Sequence, residues 1–370
     1  MYPYMRVLIA TPLYPPEPGG PATYARILEE QLPGEGVEVS LVKFGEVRRL
    51  PKLIRHSAYF WNVYKAAKDA DVVLALDPVS TGLPARLAAL VRRKPFLVKV
   101  VGDYAWEQGR QRFGVSSSLD TFVHERIVPP QVSLFRFVQT AVARSAAAVI
   151  VPSEYLKRIV CVWGVPQEQI AVIYNAVLPE EPATIPESVT PLGRPRIVTA
   201  GRLVPWKGIG GVIDAVERLR SEFPELSLVV VGDGPDRAHL EAYARARLSD
   251  GYVFTGTVPH QEALAVIKDA DLFVLNSTYE GLSHLLIEAL SLGAVTVATD
   301  VGGNPELITH EENGLLVPVR EPGRLVEACQ RALNDGTLRT KLSAGAAASM
   351  HRFSMEDMTR QTAKLIHAIT

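Results

Sequence analysis

At 370 residues, with 47 % hydrophobic and 21 % charged positions, the chain is too apolar to be disordered and long enough for two or three domains. Its 39 basic and 40 acidic residues leave a net charge of -1, which argues against a general nucleic-acid binder. Two cysteines, Cys161 and Cys329, exclude a disulfide framework and speak against a zinc or iron–sulfur centre; a reducing cytoplasm fits.

No window approaches the roughly 20 apolar residues of a membrane-spanning helix. The opening MYPYMRVLIATPLYPP does not read as a secretory signal, because its apolar run is short and its prolines come early. Short apolar runs predict strands over residues 6–10, 37–42, 71–76, 96–101 and 147–151. A second series follows over 196–200, 226–232, 252–255, 271–275 and 294–298. Such nearly continuous apolar strands belong in parallel sheets buried on both faces. Amphipathic stretches such as 208–220 and 235–248 supply the crossover helices. Between the two series, residues 178–196 (LPEEPATIPESVTPLGRPR) are rich in Pro, Thr and Glu and read as a linker.

An internal echo points to duplication. KDADVVLAL begins at Lys68 and KDADLFVLN at Lys268; the glycine pairs of GGPATY and GGNPELI repeat as well. The Asp-x-Asp pairs, Asp69/Asp71 and Asp269/Asp271, precede strands, opposite the carboxyl ends where parallel sheets bind ligands, so we reject them as metal sites. Residues 48–99 hold 11 Lys or Arg against 3 Asp, which makes that stretch +8 and the remainder -9. Within it, residues 48–68 interleave Arg and Lys with Tyr, Phe and Trp, a pattern that fits either a solvated amphipathic helix or one resting on anionic lipid or on a lipid-linked acceptor.

Five segments follow strand carboxyl ends and carry candidate chemistry. In TPLYPPEPGGPATY, Gly19 and Gly20 let a backbone approach a phosphate at a helix start. In GRLVPWKG, Arg202 and Lys207 can grip a diphosphate. In NSTYEGLSHLLIEALSLG, Glu280 precedes a helix whose first N–H groups, from Leu282, Ser283, His284 and Leu285 after the turn at Gly281, can converge on a phosphate. Glu288 then falls in a mostly apolar helix, where a buried carboxylate needs partners such as a ribose diol. Asp233 lies in the turn VVVGDGPDR, and Asp103 in KVVGDYAWE is expected to face a cleft.

Glu280-x7-Glu288 within EGLSHLLIEAL, together with GRLVPWKG, GDGPDR and VGGNPELI in that order, resembles the family-four retaining glycosyltransferases of the GT-B fold. The resemblance implies an α/β chain with two Rossmann-like doubly wound domains facing across a cleft. The implied divisions are 1–180 on the acceptor side, 181–352 on the nucleotide-sugar donor side, and a C-terminal helix, 353–370, crossing back to the first domain. It implies transfer of a sugar from a nucleotide-diphosphate donor to a hydroxyl acceptor, with no metal and no resident cofactor. Arg202 and Lys207 would hold the diphosphate, Glu280 the donor sugar and Glu288 the ribose, with Gly20 approaching from the first domain. Many members carry a His after the strand that here reads FLVKVVGDYAW; Val101, Gly102 and Asp103 occupy that stretch, and Asp103 is the candidate substitute. A GT-B sugar-nucleotide epimerase and a non-catalytic sugar-nucleotide-binding protein are the alternatives.

Overall fold

The computed structural model describes residues 5–17, 19–177 and 180–369. Residues 1–4, Pro18 of the first glycine turn, Leu178 and Pro179 of the linker, and Thr370 lie outside the described residues. The chain divides into two compact units, Met1–Leu178 with Phe353–Thr370, and Pro179–Arg352.

The first unit holds six strands: β1 (Met5–Thr11), β2 (Val37–Lys43), β3 (Val72–Ala75), β4 (Phe96–Lys99), β5 (Ala148–Val151) and β6 (Ile170–Val172). All pair in parallel, in the order β2-β1-β3-β4-β5-β6. Every residue of β3, β4 and β5 is buried, as continuous Val/Ile/Leu runs require when helices cover both faces. The helix Met355–Ile369 belongs to this unit and packs on the helix Gly20–Gln31. Its Met358 and Ile366 enter the core around Ile9, Leu28 and Leu74. Burying those two side chains stabilises the attachment by roughly 3–6 kcal/mol.

The second unit repeats the plan with β7 (Arg196–Ala200), β8 (Ser227–Val231), β9 (Tyr252–Gly256), β10 (Leu272–Leu275), β11 (Thr296–Thr299) and β12 (Leu315–Val317). The parallel order is β12-β11-β10-β7-β8-β9. The chain winds outward from β7 in one direction and from β10 in the other. The carboxyl ends of β7 and β10 therefore form the switch point, where open α/β sheets bind ligands.

The aspartates of the internal echo are structural. Asp71 Oδ2 accepts from the Arg6 N–H and Asp271 Oδ2 from the Arg196 N–H, each at 2.8 Å. Asp269 pairs with Arg194 and Arg196. In the first unit the acid before β3 ties that strand to β1, and in the second the acid before β10 ties that strand to β7. The sequence reading omitted β6 and β12, which are edge strands of three residues each, too short for an apolar run to stand out. Residues 180–195 contain no helix or strand. Among the described residues no helix is long and apolar enough to cross a membrane.

Candidate active site

Three loops at the carboxyl end of the second sheet interlock. After β7 the chain makes a short 3-10 turn, Pro205–Lys207, and enters the helix Ile209–Leu219. After β10 it runs through residues 276–283 into the helix His284–Ser291. The Thr278 N–H donates to Trp206 O at 2.7 Å, and the Asn276 side-chain amide donates to Gly208 O at 2.9 Å. The contact demands glycine: at Gly208 φ is +63°, and a Cβ would stand 2.1 Å from Asn276 O. The loop after β11 closes from the other side, its Gly303 N–H donating to Glu280 O at 3.1 Å. Gly302 has φ +57°, and a Cβ there would lie 1.8 Å from the same oxygen. The segment 276–280 is thus held by two neighbouring loops, at Asn276 and Thr278 by the one after β7 and at Glu280 by the one after β11.

Its side chain is held as firmly. Lys207 Nζ donates to Glu280 Oε1 at 2.5 Å, and Ser277 Oγ donates to the same oxygen at 2.6 Å. The two charged side chains are only 15 % and 9 % exposed. Removing one partner from such a buried pair strands the other charge, which costs roughly 3–5 kcal/mol. Arg202, on the same loop as Lys207, is exposed and makes no hydrogen bond or ion pair among the described residues. Its neighbour Gly201 lies against Leu285 and Lys207, where a Cβ would meet them at 3.2 and 3.7 Å.

The helix His284–Ser291 begins at Ser283, whose hydroxyl accepts from the Leu286 N–H at 3.3 Å. Ser283, His284 and Leu285 thus form the opening turn of this helix, beside Gly201, with Gly281 and Leu282 leading into it. Glu288 lies one turn beyond Leu285, flanked by buried Leu286, Ile287, Ala289 and Leu290. Burial, with repulsion from Glu180, pushes the Glu288 carboxyl up to about 8. Its Oε1 lies 3.5 Å from His260 Nε2, at the start of the helix His260–Lys268.

The other candidates fare differently. Asp233 is exposed and turned into its own turn, accepting from the Gly234 N–H at 2.6 Å and from Arg237 Nη1 at 3.0 Å; these bonds hold its carboxyl below the usual range. In the first unit, Gly19 precedes the helix Gly20–Gln31 with φ +137° and accepts from the Ala22 N–H at 2.9 Å. Asp103 is corrected. It is 1 % exposed and caps the helix Tyr104–Arg112 through the Trp106 N–H at 2.9 Å, so its carboxylate is not presented to a ligand. Burial raises that carboxyl above its ordinary value. Lys99, the last residue of β4, lies over the Tyr24 ring at 3.5 Å, and its Nζ has no hydrogen-bond partner among the described residues.

Ser277 and His260 were missed. Ser277 lies in the NSTYEG loop after β10, and His260 follows the carboxyl end of β9, the same placement as the five candidate segments. Among the described residues, no group of three or more His, Cys, Asp or Glu could hold a metal ion.

Comparison with known proteins bears on this constellation. Residues 181–349 match the family model for glycosyl transferases group 1, and residues 5–176 match the glycosyl transferase 4-like domain. The 2-deoxystreptamine glucosyltransferase of Streptomyces kanamyceticus is 30 % identical over 70 % of this chain and 68 % of its own length. The chain belongs to the family-four glycosyltransferases. Another relative, the lipopolysaccharide core biosynthesis glycosyltransferase LpsD of Rhizobium meliloti, is 31 % identical, but the match spans only 54 % of that protein and 52 % of this chain. Among solved structures, Anabaena HepE in complex with UDP-glucose superposes with a TM-score of 0.76 at 19 % identity, over 98 % of this chain and all of HepE. That likeness establishes the fold: the twin six-stranded parallel sheets are the two Rossmann-like domains of a GT-B glycosyltransferase. The family's motif positions at 202, 207, 280 and 288 all fall in the second unit, around the β7/β10 switch point.

Proposed function

We propose that this chain is a retaining glycosyltransferase that moves a sugar from a nucleotide-diphosphate donor to a hydroxyl acceptor. The observation that carries the reading is the set of two cations and two largely buried carboxylates at the switch point of the second sheet. Arg202 has no partner among the described residues and Lys207 is already steered by Glu280; both suit the two phosphates of a leaving nucleoside diphosphate. Glu280, fixed by Ser277 and Lys207, would accept from the donor sugar's hydroxyls. Glu288, buried with His260 for company, would accept from the ribose diol. UDP-glucose in the HepE structure supports a nucleotide sugar as donor.

Transfer would proceed on one face of the sugar. The anomeric carbon–phosphate oxygen bond breaks as the acceptor oxygen bonds the same carbon, and the acceptor's proton passes to the departing diphosphate. Arg202 and Lys207 neutralise the charge that grows on that diphosphate, an effect for which one lost donor typically costs about 100–1000-fold in rate. The donor is a substrate, and neither a metal nor a resident cofactor enters these steps. The reading includes a cytoplasmic location, which the two free thiols suit, and contact with an anionic membrane around residues 48–68.

The test is a panel of nucleotide sugars, scored first by thermal shift and then by release of nucleoside diphosphate with hydroxyl acceptors. Arg202→Ala, at an exposed position, and Glu288→Ala should each lose most turnover while the chain stays folded. Full turnover in both would end the site assignment. Conversion of the donor without any acceptor would make the chain an epimerase, and donor binding without turnover would make it a sensor.

A further inference from the structure

Every large hydrophobic residue that is exposed among the described residues lies between positions 50 and 162, in the first unit. The helix Gly82–Arg92 is turned inside out. It buries Ala85, Ala88 and Ala89 and presents Leu83, Leu87, Leu90 and Val91 to solvent, with Leu90 and Val91 57 % and 60 % exposed. Those four positions follow the i, i+4, i+7, i+8 pattern of one helical face, which a globular protein ordinarily buries. The helix Lys52–Ala66 packs along it and adds Ile54 and Trp61, the latter 55 % exposed. A shallow groove of about 350 Å³ between the two is lined by Phe60, Trp61, Pro84 and Leu87 among others. The helix Pro130–Arg144 also contacts the first and exposes Leu134 and Phe137. The groove joins Trp61 to Leu83 and Leu87, and an exposed apolar face of this kind marks a binding face.

Charge says what binds. The three helices together carry seven Lys or Arg and no Asp or Glu. The helix itself carries Arg86 and Arg92 and ends at Arg93; Arg92 lies over the Tyr64 ring at 3.7 Å and donates to Tyr64 O at 2.9 Å, and exposed Lys65 follows Tyr64 on the neighbouring helix. A second copy meeting this face would bring cation against cation. A nucleic acid would find leucines where it needs donors. An anionic bilayer takes both components, since leucines and Trp enter the acyl boundary while Lys and Arg meet the headgroups.

We infer that the helix Gly82–Arg92 is the membrane-inserting element of this chain, with the helix Lys52–Ala66 as its aromatic and basic flank, and that its partner is an anionic lipid surface. The inference rests on the membrane contact in the proposed function and moves its centre from residues 48–68 to the leucine face of the neighbouring helix. Donor binding in the second unit is independent of it.

The test is sedimentation of the full chain with phosphatidylcholine vesicles containing or lacking phosphatidylglycerol. The wild type should pellet with the anionic vesicles and stay in solution with the neutral ones. Leu87→Glu/Leu90→Glu, at exposed positions, should weaken that binding by about tenfold or more with an unchanged melting temperature. Lys65→Glu/Arg93→Glu, a second variant that keeps the leucines, should abolish the preference for anionic lipid. A wild type that stays in solution with both vesicles, or variants that pellet like the wild type, would overturn the inference. So would a wild-type dimer in solution that the Leu87/Leu90 variant dissolves, which would assign the face to self-association. Nucleotide-sugar thermal shift on the same variants should match the wild type. Loss of vesicle binding alone therefore tests this surface, and absence of any donor response in the wild type tests the enzymatic reading.

Discussion

Glu288→Gln separates a buried ionisable group from a merely polar one. In the unfolded chain Glu288 titrates like an ordinary glutamate near 4.5, whereas burial carries it to about 8 in the fold. The protonated form is the one the fold accepts. Its contribution to stability is therefore complete below pH 4.5 and is lost progressively as pH rises through 8. At about 1.4 kcal/mol per pH unit, the full loss above pH 8 is about 5 kcal/mol. Glutamine keeps the shape and has no charge to desolvate. The variant should match the wild type near pH 4.5 and melt higher above pH 8, by about 10–20 °C for a unit of this size. Nucleoside diphosphate affinity should respond in the opposite sense. A diol's two O–H donors favour the carboxylate, so wild-type affinity should rise by about tenfold between pH 7 and pH 9. The glutamine variant should bind weakly without that rise. Paired melting curves and titrations from pH 4.5 to 9 measure both. Parallel pH–stability curves for the two proteins would refute the burial argument, and a pH rise in affinity that survives in the variant would refute the ribose assignment.

Three further outcomes follow from the same reasoning. Lys99→Met should raise the melting temperature by several degrees at neutral pH: burial holds the Lys99 amine well below its ordinary value, so its penalty grows as pH falls from 10.5, and the gap between the two proteins should close in strongly alkaline buffer. Lys207→Met should destabilise the chain by roughly 3–5 kcal/mol by stranding Glu280, and Lys207→Met/Glu280→Gln should recover most of it in urea titrations. Gly302→Ala should lower stability by roughly 1–2 kcal/mol from the left-handed backbone alone, and further from the clash with Glu280 O, with nucleotide binding lost in calorimetry.

Much of this molecule could be read from its residues, because the signals were local. The run Arg196–Ala200 forms β7 with the expected bounds, and the last helix, which the family resemblance implied over 353–370, spans Met355–Ile369. The repeated Lys-Asp-Ala-Asp foretold two equivalent strand starts, and the shared Asp71 and Asp271 bonds give the physical reason for the repeat. Asp103 misled because a helix cap and a ligand contact have the same local appearance, an acid after glycine and before a helix; only its burial separates them. His260 was illegible as a partner of Glu288 because the pair is made by two helices that meet only in the folded unit. The leucine face at 83, 87, 90 and 91 is periodic in sequence, but periodicity does not say which face turns inward. Small alanines on the opposite face let that helix pack closely with the leucines outside.

The central claim is that Arg202, Lys207, Glu280 and Glu288 form one nucleotide-sugar site at the β7/β10 switch point. A crystal structure with a nucleoside diphosphate that raises the melting temperature tests it most directly. The account predicts phosphate oxygens within hydrogen-bonding reach of Arg202 and Lys207 and the ribose diol on Glu288. A nucleotide bound elsewhere, with Lys207 and Glu280 still paired and Glu288 untouched, would contradict it.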